Sequence, residues 1–461
     1  MMSQSKFPTL TAAKERMESW ESSWTVSSLS TLYVISYIYS VETYLSVGTL
    51  EYSPRFVPIE YIAVVVLFAV VPVLLLPTKI DRPSKGLYSF LYYALYVPSV
   101  SIPFYLTNVH FSTLITFNLV ILSTFSIISL SFRITPIYPD VKQFRLRKRT
   151  PSLILLIASL FCILLILHTF GIERVLDVPA LTEVYAAREM YKQQATGRVL
   201  ELISVAMYII FPSVVAMGLI WRNPFYIGFG ILGEITVYSV GGHRSAIALI
   251  LGIVGLYVVL SRFRNLYAEC LAGVFIFVAL IPPVSRIFGT TLFESIFFER
   301  LVITPGMISG LYFEFFLSHP KANEQILPYA YYFFEQSYPT SMANIIGDTY
   351  FHSSTHANGS FIASGFGAFG FLGIIFSGVL VAIALYVYDS LALKSGMFGH
   401  LILVGPMLLF VNTSITNILD YGPVIAPVLV IFGNWPLLSL FTFGEFIVAI
   451  LIVYMLGSIT G

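Results

Sequence analysis

The sequence predicts an all-α, polytopic integral membrane protein, and three observations carry that expectation. Hydrophobic residues make up 57% of the chain and charged residues 11%, whereas a soluble domain carries about a quarter charged. Apolar runs of about 20 residues, the length a helix needs to cross a hydrocarbon core, recur along all 461 residues. Lysine and arginine collect in alternate connections between those runs, as they do when cytoplasmic loops keep the positive charge. The net charge of +1 offers nothing to nucleic acid. Cys162 and Cys270 lie inside apolar runs and read as small core residues, not as metal ligands.

Taken in order, the predicted spans cover 28–48, 60–77, 87–106, 112–132, 152–170, 200–221, 224–240, 245–260, 267–284, 361–386, 399–418 and 438–457, about twelve transmembrane helices. Pro423 to Pro436 is apolar but short and is broken by Asn434-Trp435-Pro436; it suits a re-entrant half-helix or one further element. The chain then divides into a cytoplasmic segment 1–27, helices over 28–170, a first large periplasmic loop 171–199, helices over 200–284, a second large periplasmic loop 285–360, and C-terminal helices 361–461. The polar start, with Lys6, Lys14 and Arg16, predicts no cleavable signal peptide and leaves targeting to the first span.

With the N-terminus in the cytoplasm, the inside connections receive Lys79, Arg82 and Lys85, then Arg133 and the cluster from Lys142 to Arg149, then Arg222, Arg262, Arg264 and Lys394. The short outside connections hold little beyond Arg55 and Arg244. The expected location is therefore the cytoplasmic (inner) membrane, with the active face periplasmic or extracellular. Both large loops are rich in Tyr, Phe and Leu, which predicts order. Their rings suit an aromatic belt at the interface or stacking on sugar faces.

Arg244 stands out among residues able to carry chemistry. It follows Gly241-Gly242-His243 between two apolar spans, on the side where positive charge is otherwise scarce. An arginine near membrane depth needs an anion. One partner is an acid, Glu234 or Glu201; the other is a phosphate or diphosphate, which a guanidinium grips bidentately. The two glycines would let a head group approach the backbone. Arg188 and Lys192 lie one turn apart on an amphipathic stretch that reads as a helix on the outer surface, and Arg198 reads as a snorkelling anchor. In the second loop, Arg300 precedes Leu301 to Gly306, and Asn344, Asp348, His352 and His356 recur every fourth residue. That spacing suits one helix face and in principle a metal, but Ser353-Ser354-Thr355 and Asn358-Gly359 read as turn chemistry. A general base is the better role there, and no metal or other cofactor is expected. Glu42, Glu234 and Glu445 are acids inside spans, the kind of group a transporter would use.

Several passages in order resemble the oligosaccharide repeat-unit polymerases (Wzy type), relatives of the O-antigen ligases. They are Asp81-Arg82-Pro83-Ser84 with Tyr96-Val97-Pro98-Ser99, the stretch from Tyr185 to Arg188, Gly241-Gly242-His243-Arg244-Ser245, Arg300 to Gly306 continuing into Tyr312-Phe313-Glu314-Phe315-Phe316, and His356-Ala357-Asn358-Gly359-Ser360-Phe361 leading to Gly367 and Gly373. Ligases carry a contiguous His-Asn pair at the end of their large loop; here Ala357 separates His356 from Asn358, which tilts the likeness toward polymerases.

The resemblance implies a multi-span (GT-C-like) glycosyltransferase that joins undecaprenyl-diphosphate-linked oligosaccharides, as donor and acceptor, into a surface polysaccharide without metal. Membrane lipids are implied partners, as is a chain-length-regulating co-polymerase. On that reading Arg244, Arg188 and Arg300 hold the diphosphate, and His243, His352, Tyr312 and Asn358 contact substrate. His356, or failing it Asp348, takes the acceptor proton. An O-antigen ligase and a lipid-linked oligosaccharide flippase or transporter are the alternatives.

Overall fold

The computed structural model describes residues 10–45, 57–137, 149–180, positions 184, 188, 190, 191 and 194, and residues 197–289, 293–326, 330–351, 356–392 and 395–414. The expected span 438–457 and the segment from Pro423 to Pro436 lie outside them. Every regular element among the described residues is helical. Six helices are long and apolar enough to cross a bilayer, or seven if one bent pair counts as a single span. Over its described residues the chain is an all-helical membrane protein, short of the expected twelve spans.

The elements in chain order are α1 (Leu10–Leu45), α2 (Ile59–Val70), α3 (Pro83–Leu91), α4 (Val97–Ser101), α5 (Pro103–Leu106), α6 (Phe111–Leu130), α7 (Arg149–Phe170), α8 (Ile172–Leu176), α9 (Gly197–Val205), α10 (Phe211–Trp221), α11 (Pro224–Gly241), α12 (Arg244–Arg262), α13 (Tyr267–Ala279), α14 (Ile281–Phe288), α15 (Thr304–Ser318), α16 (Met342–Phe351), α17 (Phe361–Ala392), α18 (Met397–Ile402) and α19 (Val404–Asn412). The first helix thus reaches back well into the polar segment expected before residue 28. The expected span 267–284 is realised as Arg264–Ala279 and Ile281–Phe288, bent by 43° where Pro282 and Pro283 remove two backbone donors.

The expected span 87–106 lies at the centre, broken into short helical pieces around Pro98 and Pro103, and every residue from Leu91 to Thr107 is buried. Tyr92–Tyr96 form a π turn. In that register the Tyr93 carbonyl would await an N–H from Pro98, which has none. The Tyr33 hydroxyl donates to it at 2.7 Å. The same remedy serves α2: Pro72 cannot donate to the Phe68 carbonyl, and the Tyr96 hydroxyl does so at 2.8 Å. Buried tyrosines here satisfy carbonyls that prolines leave open, each bond worth about 0.5–1.5 kcal/mol net.

The cationic connections gather at one end of the bundle. Arg82 donates to the Ile134 carbonyl at 2.9 Å, the Ser84 amide donates to Asp389 at 3.0 Å, and the Tyr267 hydroxyl lies against Gly86. At the opposite end Tyr105 donates to Glu42 at 3.4 Å and the Asn108 amide to Glu314 at 2.7 Å.

Two elements depart from simple crossing. Within the stretch expected as the second large loop, Phe297–Ser318 is a helix long and apolar enough to span, yet both its ends meet the same end of the bundle. Tyr44, near the close of α1, donates to Glu299 at 3.2 Å, and Glu314 holds Asn108. Between them the helix dips to Tyr37, whose hydroxyl donates to Val302 at 2.8 Å, and to Ser99, 3.0 Å from Ser309. It lies obliquely in the bundle and returns to the end it came from.

The other is α17. Its helix is interrupted at Phe369 (φ −135°, ψ 21°) and Gly370 (φ 63°, ψ −143°). Residues 365 and 373 would stand about 12 Å apart in a straight helix, but a Cβ on Gly365 would meet the Gly373 carbonyl at 2.7 Å and Ser377 Oγ at 2.8 Å. The chain therefore folds back into a helical hairpin. Phe361, where the first arm begins, packs beside Phe125, and Gly378 of the second arm meets Thr124. The expected single span 361–386 is a short arm and a long one, the short arm starting at the depth of Phe125.

Candidate functional site

Two groups of the expected site residues take shape, both away from the cationic end. The first is built on the turn between α11 and α12. Gly242 adopts φ 58°, a left-handed conformation, and its α face meets the Val184 carbonyl at 2.7 Å from a would-be Cβ. Glycine is required there twice over, by conformation and by the close approach. Arg188, half-buried, reaches the Gly242 carbonyl at 3.4 Å. His243 caps α12 and Arg244 is its first residue. The first outer segment is thereby laid onto the turn, and Arg188, His243 and Arg244 come together as neighbours. Lys192 and Tyr185 lie outside the described residues, as does the Arg198 side chain.

The His243 ring turns back on Gly241 and meets the Tyr191 ring edge-on at 5.3 Å; Tyr191 in turn stacks on Phe170. Burial pushes the His243 imidazole down to about 4, and the Arg188 charge works in the same direction. A neutral imidazole there adds no charge of its own, which leaves the attraction of an anion to the arginines. Glu201 and Glu234 are the two acids offered as partners for Arg244. Glu201 is exposed, and both Glu234 oxygens are buried without a hydrogen-bond partner.

The second group surrounds the approach to the α17 hairpin. The Ala357 amide donates to the Ala343 carbonyl of α16 at 3.0 Å, and the Tyr312 hydroxyl donates to the Ala357 carbonyl at 3.0 Å. His356 and Asn358, flanking that pinned residue, are exposed. Asp348 is exposed on α16, five residues beyond Ala343, a rise of about 7.5 Å. Tyr312 is 2% exposed and its ring lies on Gly359, so it braces the loop from beneath and its hydroxyl is already engaged. His352 lies outside the described residues, so the Asp348–His352–His356 spacing has no geometry here; among the described residues no group of three acidic, His or Cys side chains could hold a metal ion. Arg300 is exposed at the other end of the oblique helix, beside Glu299 and Tyr44. Twelve residues, about 18 Å of rise, separate it from Tyr312, and the structure does not bring those two together.

Lys321 was not singled out by the sequence. Its ammonium donates to the Phe316 carbonyl at the end of α15 and sits 4.9 Å over the Phe366 ring on the short arm of the hairpin. Burial lowers its proton affinity. It ties the close of the oblique helix to the hairpin, a cation at a helix C-terminus. Its only sequence signal is position, a lysine just after the turn His319-Pro320.

No family model, no curated protein and no solved structure matches this chain.

Proposed function

We propose that this protein is a membrane glycosyltransferase that polymerises oligosaccharide repeat units carried on undecaprenyl diphosphate, at the outer face of the cytoplasmic membrane. The observation that supports the reading most is the contact of Arg188 with the Gly242 carbonyl, which brings a second arginine to the glycine turn that Arg244 follows. Departure of a lipid diphosphate builds negative charge on its oxygens, and without a metal fixed cations must meet it. Two arginines flanking a backbone open to close approach suit that task.

The acceptor hydroxyl needs a base. His356 is the first choice and Asp348 the second, both exposed around a backbone that Tyr312 and Ala343 pin. The reaction on this reading is a single displacement. The acceptor oxygen bonds to the anomeric carbon, the bond to the diphosphate oxygen breaks, and the hydroxyl proton passes to the base, with inversion. Arg300 stays a candidate for the second lipid carrier, and a chain-length-regulating co-polymerase a candidate partner.

The test is glycan made by cells in which the gene is deleted and then restored. Restoration of a ladder of lengths on a gel supports polymerisation. Transfer of glycan to a new acceptor without lengthening would instead mark a ligase. Retained anomeric configuration in the new linkage would overturn the single displacement.

A further inference from the structure

Glu234 has no part in the chemistry above, yet it is the most isolated acid in the described bundle. It is 1% exposed, and neither carboxylate oxygen has a hydrogen-bond partner. An ionised carboxylate so placed would be an uncompensated charge costing several kcal/mol, so acids at such positions are rare and usually functional. A metal cation does not suit the site. Hard cations replace their water with about six oxygens, and among the described residues no group of three acidic, His or Cys side chains could hold one.

The surroundings point one way. Eight residues, about 12 Å of rise, separate Glu234 from Gly242. At that end the Tyr208 hydroxyl donates to Ser245 Oγ at 3.5 Å, on the first turn of α12, and Ser245 donates to Met207 Sδ at 3.7 Å. Toward the cationic end α10 and α11 close up: a Cβ on Gly230 would stand 2.9 Å from the Val215 amide, leaving no room for water. The titratable groups with described side chains on the packed elements are Cys162 and His168 of α7, Glu173 and Arg174 of α8, Tyr208, and Arg244, Tyr257 and Arg262 of α12; none makes a hydrogen bond to the carboxylate.

We propose that Glu234 is a proton-binding site, loaded and emptied from the Gly242 end of the bundle. Water at the Arg188–Arg244 end is source and sink: the carboxylate accepts the proton on loading and returns it on emptying. The site does not depend on which sugar chemistry the protein performs.

The experiment uses the full-length protein in vesicles and dicyclohexylcarbodiimide, a hydrophobic reagent that adds to protonated carboxyls. Peptide mass spectrometry after labelling at neutral pH is expected to find the adduct on Glu234; its absence there overturns the proposal, and this arm needs no variant. In infrared spectra at neutral pH, Glu234→Gln should remove a carboxylic C=O band that shifts in deuterium oxide in the wild type. An unchanged set of carboxylic bands in Glu234→Gln overturns the proposal.

Discussion

The Cβ position of Gly365 faces the carbonyl oxygen of Gly373 at 2.7 Å, which locks the two arms of α17 into a hairpin. That contact is backbone on backbone, so a side chain at either position must separate the arms. Gly365→Leu is expected to lower stability by about 1–3 kcal/mol, the usual cost of overpacking, and to expose the Phe369–Gly370 tip to protease. Gly255, with nothing within 4 Å, is the control; Gly255→Ala should be neutral or stabilising by up to about 1 kcal/mol. Thermal unfolding in detergent distinguishes the two, and equal midpoints would remove the hairpin.

At the cationic end the far end of the same helix is tied down. Asp389, 1% exposed, accepts from the Ser84 amide at 3.0 Å and from its hydroxyl, at the first turn of α3 where the helix dipole favours an anion. Asp389→Ala leaves that amide unsatisfied and should cost about 1–3 kcal/mol, Ser84→Ala about 1 kcal/mol. Together the two should cost little more than Asp389→Ala alone. Full additivity of their unfolding midpoints would show that they act independently.

His243 gives a pH signature. Its folded value, pushed down to about 4 by burial and then Arg188, lies below the ordinary value near 6.5, so the unfolded chain binds the proton more readily. The contribution is complete above about pH 6.5 and is lost as pH falls through about 4, up to roughly 3 kcal/mol. Unfolding midpoints measured across that window should fall less in His243→Gln than in the wild type.

Arg244→Ala is expected to cut polymer formation about a hundredfold, the scale of losing one preorganised donor to transition-state charge. Arg244→Lys should retain part of it, since a point charge keeps the attraction without the fork. Arg188→Ala should lower activity and loosen the first outer segment from Gly242, read as faster amide exchange around Val184. A full glycan ladder from Arg244→Ala at normal protein level would sink the diphosphate clamp.

Much of the architecture was legible because it is local. The runs 112–132, 152–170, 200–221, 224–240 and 245–260 became Phe111–Leu130, Ser152–Phe170, Val199–Trp221, Pro224–Gly241 and Arg244–Arg262 within a few residues. Arg244 was conspicuous as a cation on the wrong side of an alternating pattern, and Arg188 stood on a recognisable helical face. Lys321 was not, since its significance lies in the Phe316 carbonyl and the Phe366 ring. Tyr312 was expected to touch substrate; a hydroxyl engaged with Ala357 is visible only once the loop has folded.

By itself the sequence determined helix, membrane and the charge difference between the two ends, since hydropathy and lysine–arginine placement act residue by residue. Tertiary structure alone decided that Phe297–Ser318 returns to the end it came from and that α17 doubles back at Gly370. It also decided that Arg188 meets Gly242 and that Glu234 has no partner. A straight span and a hairpin share the same apolar composition. What separates them is contact between residues distant in the chain, Gly365 on Gly373 and Tyr44 on Glu299, and no local pattern encodes that.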